Sequence, residues 1–144
     1  MFNSTDDERI AGYRPLISPA ILMEELPVSE QAANTVAEAR RAAEAVVRGE
    51  DDRLLVVTGP CSIHDPKAAL EYADRLQSVK RALSDDLCII MRVYFEKPRT
   101  TIGWKGLIND PHLDGTFDIN NGLRAARRLL LDLAHRGMPA GSEF

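Results

Sequence analysis

The sequence predicts an α/β fold organised around a parallel sheet. Two continuous apolar runs rich in β-formers, Leu54-Leu-Val-Val57 and Leu87 to Tyr94, read as strands, the first of them fully buried. Around them lie longer segments whose apolar residues recur every three or four positions, the period of one buried helix face. From residue 54 onward the order is strand, helix, strand, helix, strand, and that alternation builds βαβ units with parallel strands.

Residues 1–26 precede this pattern, and Pro15 and Pro19 punctuate their short apolar pieces, Leu16-Ile17 and Ala20-Ile21-Leu22-Met23. They hold too little apolar material for a core and are expected to lie against another part of the molecule. The first firm helix begins after Ser29, a good N-cap, and carries an inward stripe of Ala32, Val36, Ala39, Ala43, Val46 and Val47. Gly49 stops it, with Arg48 in the last turn where the helix dipole favours a cation. The strand Leu54–Val57 ends at Thr58-Gly59-Pro60, and Asp65-Pro66 opens a second helix with a capping carboxylate and a proline at the first helical position. Ala69, Leu70, Ala73, Leu76, Val79 and Leu83 form its inward stripe. A turn at Ser84-Asp-Asp86 leads to the strand Leu87–Tyr94, followed by an irregular stretch over 95–119. Leu123, Ala126, Leu130, Leu133 and Ala134 mark a third helix ending at Gly137, and Met138 to Ser142 begin a third strand. A strand at the last residues has no following helix to cover it, so the pattern predicts the first part of a larger fold.

The 144 residues carry two cysteines, Cys61 and Cys88, in unrelated contexts, which argues for free thiols in a cytosolic protein. A formal charge of −4 gives no reason to expect nucleic acid or an anionic membrane as partner. The acidic start, Met1-Phe-Asn-Ser-Thr-Asp-Asp-Glu, lacks the basic and apolar regions of a signal peptide, and no apolar run approaches the ~20 residues of a membrane span.

In parallel α/β folds, sites gather at the carboxyl ends of the strands. Two unusual segments fall there. In Thr58-Gly-Pro-Cys-Ser-Ile-His-Asp65, the thiol of Cys61 follows a strand directly. As a thiolate it binds a borderline metal or acts as a nucleophile; as a thiol it is a small hydrophobe filling a loop. Cys61 and His64 have C-x-x-H spacing without a second pair, so a closed structural zinc site is not indicated, and His64 reads equally as an ordinary hydrogen-bonding residue. In Met91-Arg-Val-Tyr-Phe-Glu-Lys-Pro-Arg-Thr-Thr101, Arg92 interrupts an apolar strand, with Ile90, Arg92 and Tyr94 on one face and Ile89, Met91 and Val93 on the other. A buried guanidinium needs an anionic partner, which is either a ligand or a carboxylate of the chain, Glu96 or Asp118. Lys97 and Arg99 follow, with hydroxyls at Thr100 and Thr101. Such a cluster suits a phosphate ester or carboxylate, each contact worth roughly 4 kcal/mol before desolvation at about 4 Å and an effective dielectric near 20. No Walker or Rossmann glycine pattern occurs. Trp104 reads as a packing anchor, His112 and Asp114 as surface residues, and Glu143 falls at the mouth of the third strand.

Three strings, Gly59-Pro-Cys-Ser-Ile-His-Asp-Pro66, Met91 to Thr101, and Gly103-Trp-Lys-Gly-Leu-Ile-Asn-Asp-Pro-His112, closely resemble the type I 3-deoxy-D-arabino-heptulosonate 7-phosphate (DAHP) synthases. The likeness extends to Asp6-Asp-Glu-Arg-Ile10 and Asp51-Asp-Arg-Leu-Leu55. It implies the N-terminal part of a (β/α)8 TIM barrel, residues 53–144 supplying the first strand–helix units and residues 1–52 an N-terminal helical and strand extension for oligomerisation or effector binding. It implies an enzyme condensing phosphoenolpyruvate with erythrose 4-phosphate, with release of phosphate. By the same resemblance, Cys61 is one ligand of a divalent metal (Mn, Fe, Co or Zn). Arg92 and Lys97 engage phosphoenolpyruvate, and Lys97 assists proton transfer. Arg99 and Thr100 hold the phosphate of the aldose, and Glu143 lies near phosphoenolpyruvate through water. Asp6, Asp7 and Ile10 match positions that contact an aromatic amino acid effector, and a homodimer or homotetramer is implied. A barrel of this kind needs ~250 residues. The other metal ligands, a His, a Glu and an Asp in the family, are therefore expected beyond residue 144, and the isolated chain is expected to be inactive. The alternative is a non-catalytic effector-binding or oligomerisation fragment.

Overall fold

The computed structural model describes residue 10 and residues 12–96 and 103–143. Seven elements follow one another: α1 (Pro19–Glu25), α2 (Glu30–Arg48), β1 (Leu54–Thr58), α3 (Pro66–Ala82), β2 (Leu87–Arg92), α4 (Ile119–His135) and β3 (Ala140–Gly141). The strands form one parallel sheet in the order β1-β2-β3, with Leu54 opposite Leu87 and Met91 opposite Ala140.

The alternation read for β2 holds. Ile89, Met91 and Val93 are buried and join Ala69, Ala73 and Leu76 of α3 and Ala126, Leu129 and Leu133 of α4 in one core. Ile90, Arg92 and Tyr94 lie on the opposite, half-covered face, beside Val57 and Gly141. The expectation that β1 is fully buried fails. Leu54 and Val57 are 66% and 55% exposed, because among the described residues β1 pairs only with β2 and nothing covers its outer edge. An uncovered edge of this kind favours association with other strands.

Several boundaries differ from expectation for identifiable reasons. α1 was not expected. Ser18 caps it, its hydroxyl accepting from the Ile21 N–H at 3.3 Å, and Pro19 occupies the first turn, where a missing N–H costs nothing. α4 begins at Ile119, earlier than the first periodic leucine, because the Asp118 carboxylate caps it through the Asn121 N–H. β3 is shorter than 138–142: the Met138 N–H closes the end of α4 on the Leu133 carbonyl, and Pro139 has no N–H to donate. The stripe of α2 is buried only at Ala32. Val36 and Val47 are exposed, because that helix packs on α4 more than on β1 or β2. Val79 and Leu83, at the end of α3, are likewise exposed.

The extension does lie against another part of the chain. Asn120 receives the Ile17 N–H at 2.9 Å and donates to the Pro15 carbonyl at 3.1 Å. Arg124 forks onto Glu25 at 2.7 and 2.9 Å, holding that carboxyl below its usual range through hydrogen bonding and charge. Arg127 donates to the carbonyl of the buried Leu26. No helix among the described residues is long and apolar enough to cross a membrane.

Candidate active site

The carboxyl end of the sheet begins with the turn after β1. Gly59 approaches Arg92 so closely that a Cβ there would sit 2.4 Å from the Arg92 carbonyl oxygen, so only glycine lets the two strand ends meet. The chain then runs through Cys61, an exposed free thiol, and His64, also exposed. Between them Ile63 is buried, and its N–H donates to the Tyr94 carbonyl at 2.7 Å. Asp65 accepts from the Lys67 N–H at 2.8 Å and starts α3 as read. Ile63 and Gly59 thus hold the Cys61 loop against the end of β2. Neither was singled out from sequence, although a glycine at a strand end is the ordinary signal of close backbone approach.

Arg92 is half-buried, and its partner is not the expected carboxylate. Glu96 accepts instead from Asn109 Nδ2 at 2.6 Å, and Asp118 caps α4. The Arg92 guanidinium lies over the Tyr94 ring, 4.1 Å from its centroid, two residues along the same strand face. The ring supports the cation without neutralising it. Its buried Nε–H has no acceptor among the described residues, an outstanding donor of the kind an anion satisfies.

Beyond Arg92 the strand was expected to run to Tyr94, but the ladder stops because β3 has only two residues. Several main-chain groups beyond it find partners elsewhere in the chain. Val93 N–H donates to the Gly141 carbonyl and the Tyr94 carbonyl accepts from Ile63, while the buried Phe95 offers its carbonyl to the Leu107 N–H at 2.9 Å. The N–H groups of Phe95 and Glu96 both donate to Oε1 of Glu143 at 2.6 Å, and Glu143 Oε2 accepts from the Ser142 hydroxyl at 3.0 Å. Burial pushes the Glu143 carboxyl up. The N–H groups of Glu143, Glu96 and Phe95 and the Ser142 hydroxyl outweigh it and hold the group below its ordinary value. A side-chain carboxylate has taken the place of the next strand carbonyl.

Lys97, Arg99, Thr100 and Thr101 lie outside the described residues, as do Asp6 and Asp7. Ile10 is about half exposed. Downstream, Glu96 bridges Gly106, where a Cβ would meet the Phe95 carbonyl oxygen at 1.9 Å. Trp104 packs against the core and donates its indole N–H to the Asp110 carbonyl at 2.8 Å, which fits an anchor. The buried Asp110 carboxylate accepts from the Gly115 N–H and shapes the loop on which His112 and Asp114 are exposed, as expected.

Among the described residues, no three His, Cys, Asp or Glu side chains come together as a metal cage. Cys61 nevertheless suits one position of such a cage, being a free, accessible thiol in the loop that follows β1. A cavity of about 380 Å³ lies at the opposite, amino end of the strands, lined by Arg53, Lys80, Arg81 and Cys88 among others. Its Arg53 is already committed to Asp51 and to the Ser84 carbonyl. The carboxyl edge, with its exposed thiol and an Arg92 Nε–H that has no acceptor among the described residues, is the chemically richer end.

Residues 25–144 match the DAHP synthetase I family. The chain is 61% identical, over 96% of its length, to the Phe-sensitive phospho-2-dehydro-3-deoxyheptonate aldolase of Escherichia coli strain K12, and spans 40% of that protein. It is 59% identical over 96% of its length to the phospho-2-dehydro-3-deoxyheptonate aldolase of Amycolatopsis methanolica, of which it spans 68%. Among solved structures, the phospho-2-dehydro-3-deoxyheptonate aldolase of Francisella tularensis SCHU S4 superposes with a TM-score of 0.91 at 50% identity, covering 94% of this chain and 40% of that one.

Proposed function

Because the chain belongs to the DAHP synthetase I family, we propose that it is part of an enzyme that condenses phosphoenolpyruvate with erythrose 4-phosphate to DAHP and inorganic phosphate, the opening step of the shikimate pathway. The reading places residues 53–144 as the first units of a (β/α)8 barrel and residues 1–52 as an extension for assembly and effector binding. The complete enzyme would be a cytoplasmic homodimer or homotetramer. Its effector would be an aromatic amino acid met in part by Asp6, Asp7 and Ile10.

The observation that carries the reading is the Arg92 guanidinium, held over a ring at the carboxyl edge with a buried donor that has no acceptor among the described residues. A planar fork in that state suits the carboxylate or phosphate of phosphoenolpyruvate better than a point charge would. Lys97 completes the grip and assists proton transfer, and Arg99 and Thr100 take the phosphate of the aldose. Two polyanionic substrates repel each other, and fixed cations around them offset that repulsion where the new carbon–carbon bond forms. Cys61 would hold one position of a divalent metal, the rest coming from residues outside this chain. When bound, that ion would supply Lewis-acid polarisation of the aldehyde carbonyl.

Phosphate release with both substrates and a divalent cation tests the reading. Full-length enzyme is expected to turn over and the 144-residue chain is not; absence of phosphate release from the full-length enzyme overturns the assignment. The alternative is a non-catalytic effector-binding or assembly piece of such an enzyme. Calorimetry with Phe, Tyr and Trp that finds binding by the 144-residue chain without turnover would favour it.

A further inference from the structure

We propose that Tyr94 is a positioning residue, whose ring holds the Arg92 guanidinium in the place and orientation in which it meets the anionic substrate. The inference rests on the proposed function and deepens it, because it concerns the side chain that would grip phosphoenolpyruvate.

A guanidinium rides on a flexible stem, and without a fixed neighbour it samples many positions. Holding one ready for a ligand needs a contact that orients the charge and leaves its hydrogen-bonding capacity unspent. A carboxylate fails the second condition, because it takes paired donors and cancels the charge. Among the described residues, no carboxylate pairs with Arg92. The neighbour is the Tyr94 ring, whose centroid lies 4.1 Å from Cζ of Arg92. A π face attracts the cation without supplying the lone pairs that its N–H donors need, so those donors stay available to an incoming anion.

A ring serves as a reference only where its own base is fixed. Tyr94 stands between Val93 and Phe95, which are 0% and 3% exposed, and its carbonyl accepts from the Ile63 N–H at 2.7 Å. The base of Arg92 is fixed as well, since it pairs with Gly141 in the sheet and Gly59 packs against its main chain. The two side chains share one strand face two residues apart, so they meet over a pinned backbone. What stays free is rotation about the arginine stem, and the ring restrains that rotation. Both residues are half-buried, and a cation–π contact strengthens as water is excluded from it.

Steady-state kinetics and crystallography of the full-length, metal-loaded enzyme test this. Tyr94→Leu removes the ring and should raise the KM for phosphoenolpyruvate about tenfold, while kcat and the KM for erythrose 4-phosphate change less than about threefold. Tyr94→Phe keeps the ring and should recover most of that loss. An equal loss in the two variants would mean that the hydroxyl acts on the substrate, and an unchanged KM in Tyr94→Leu would mean that the ring does not hold the cation; either result overturns the role. Phenylalanine carrying one, two or three ring fluorines at position 94 preserves the shape while draining the π face, and it decides the matter if Tyr94→Leu fails to fold. The KM for phosphoenolpyruvate should climb with each fluorine, and a flat series rejects the proposal. Crystal structures of the substrate-free enzymes give a readout independent of turnover. The Arg92 guanidinium should stay in place in Tyr94→Phe and leave it in Tyr94→Leu, and an unmoved guanidinium in Tyr94→Leu overturns the positioning role. If wild-type enzyme releases no phosphate, the functional reading falls, while the place of the guanidinium still decides whether Tyr94 sets it.

Discussion

Gly122 sits inside α4, and replacing it by alanine sets two opposing effects against each other. By helix propensity alone, Gly122→Ala should stabilise the protein by about 0.5–1 kcal/mol, because alanine loses less backbone freedom on folding. The structure reverses the sign. A Cβ at this buried position would lie 2.0 Å from the Ile108 carbonyl oxygen and 2.7 Å from the Ile108 Cα. Both are backbone atoms, so no rotamer change relieves the clash, and the turn over Leu107–Asn109 must retreat from the helix by more than an ångström. Overpacking costs about 1–3 kcal/mol, and so short an approach to backbone falls at the upper end, leaving a net loss of about 2 kcal/mol after the propensity gain. Urea unfolding followed by far-UV circular dichroism should therefore show a lower midpoint. The emission of the single tryptophan, Trp104, should shift to the red as the turn it anchors loosens. A variant with a raised midpoint and unmoved emission would refute the argument, because it would mean that the turn can yield without cost.

In the full-length enzyme, Cys61→Ser should weaken divalent-metal binding by calorimetry and remove most activity, a hydroxyl being a poor substitute for a thiolate; unchanged affinity would remove Cys61 from the ligand set. Arg92→Lys should raise the KM for phosphoenolpyruvate about tenfold or more, because an ammonium offers neither the paired donors nor the flat face that lies on Tyr94, and an unchanged KM would contradict the role. The Glu143 carboxyl is held below its unfolded value, so its contribution to stability is present above the ordinary glutamate range and is lost as pH falls through the folded value. Urea midpoints of the wild type should accordingly drop at acid pH more than those of Glu143→Gln, and parallel curves would contradict the shift.

Much of the framework was legible because it is local. Ser29, Gly49 and Asp65-Pro66 punctuate α2 and α3 by contacts within a few residues, and the two-residue period of β2 survives folding. α1 obeys the same grammar at Ser18-Pro19, but a proline among short apolar pieces reads as punctuation unless the serine before it is weighed as a cap. What depends on distant neighbours was not legible. The burial of β1 depends on what lies at its outer edge, and hydrophobicity alone does not say that Leu54 and Val57 face outward. Arg92 announced that it needed a partner, yet the partner is the ring two residues on instead of Glu96 or Asp118. Glu143 was placed at the mouth of β3 by its position after a strand, but its grip on Phe95 and Glu96 spans too much sequence for any spacing rule.

The sheet order β1-β2-β3 repeats the order of synthesis, with each strand docking on the one made just before it. A nascent chain can therefore add these strands in turn as they leave the ribosome, each on the one before it. The leading segment is under the opposite regime. Its anchors Asn120, Arg124 and Arg127 are translated about a hundred residues later, so it can be fastened only after α4 has been made. Fastening the strap thus reports that α4 has arrived.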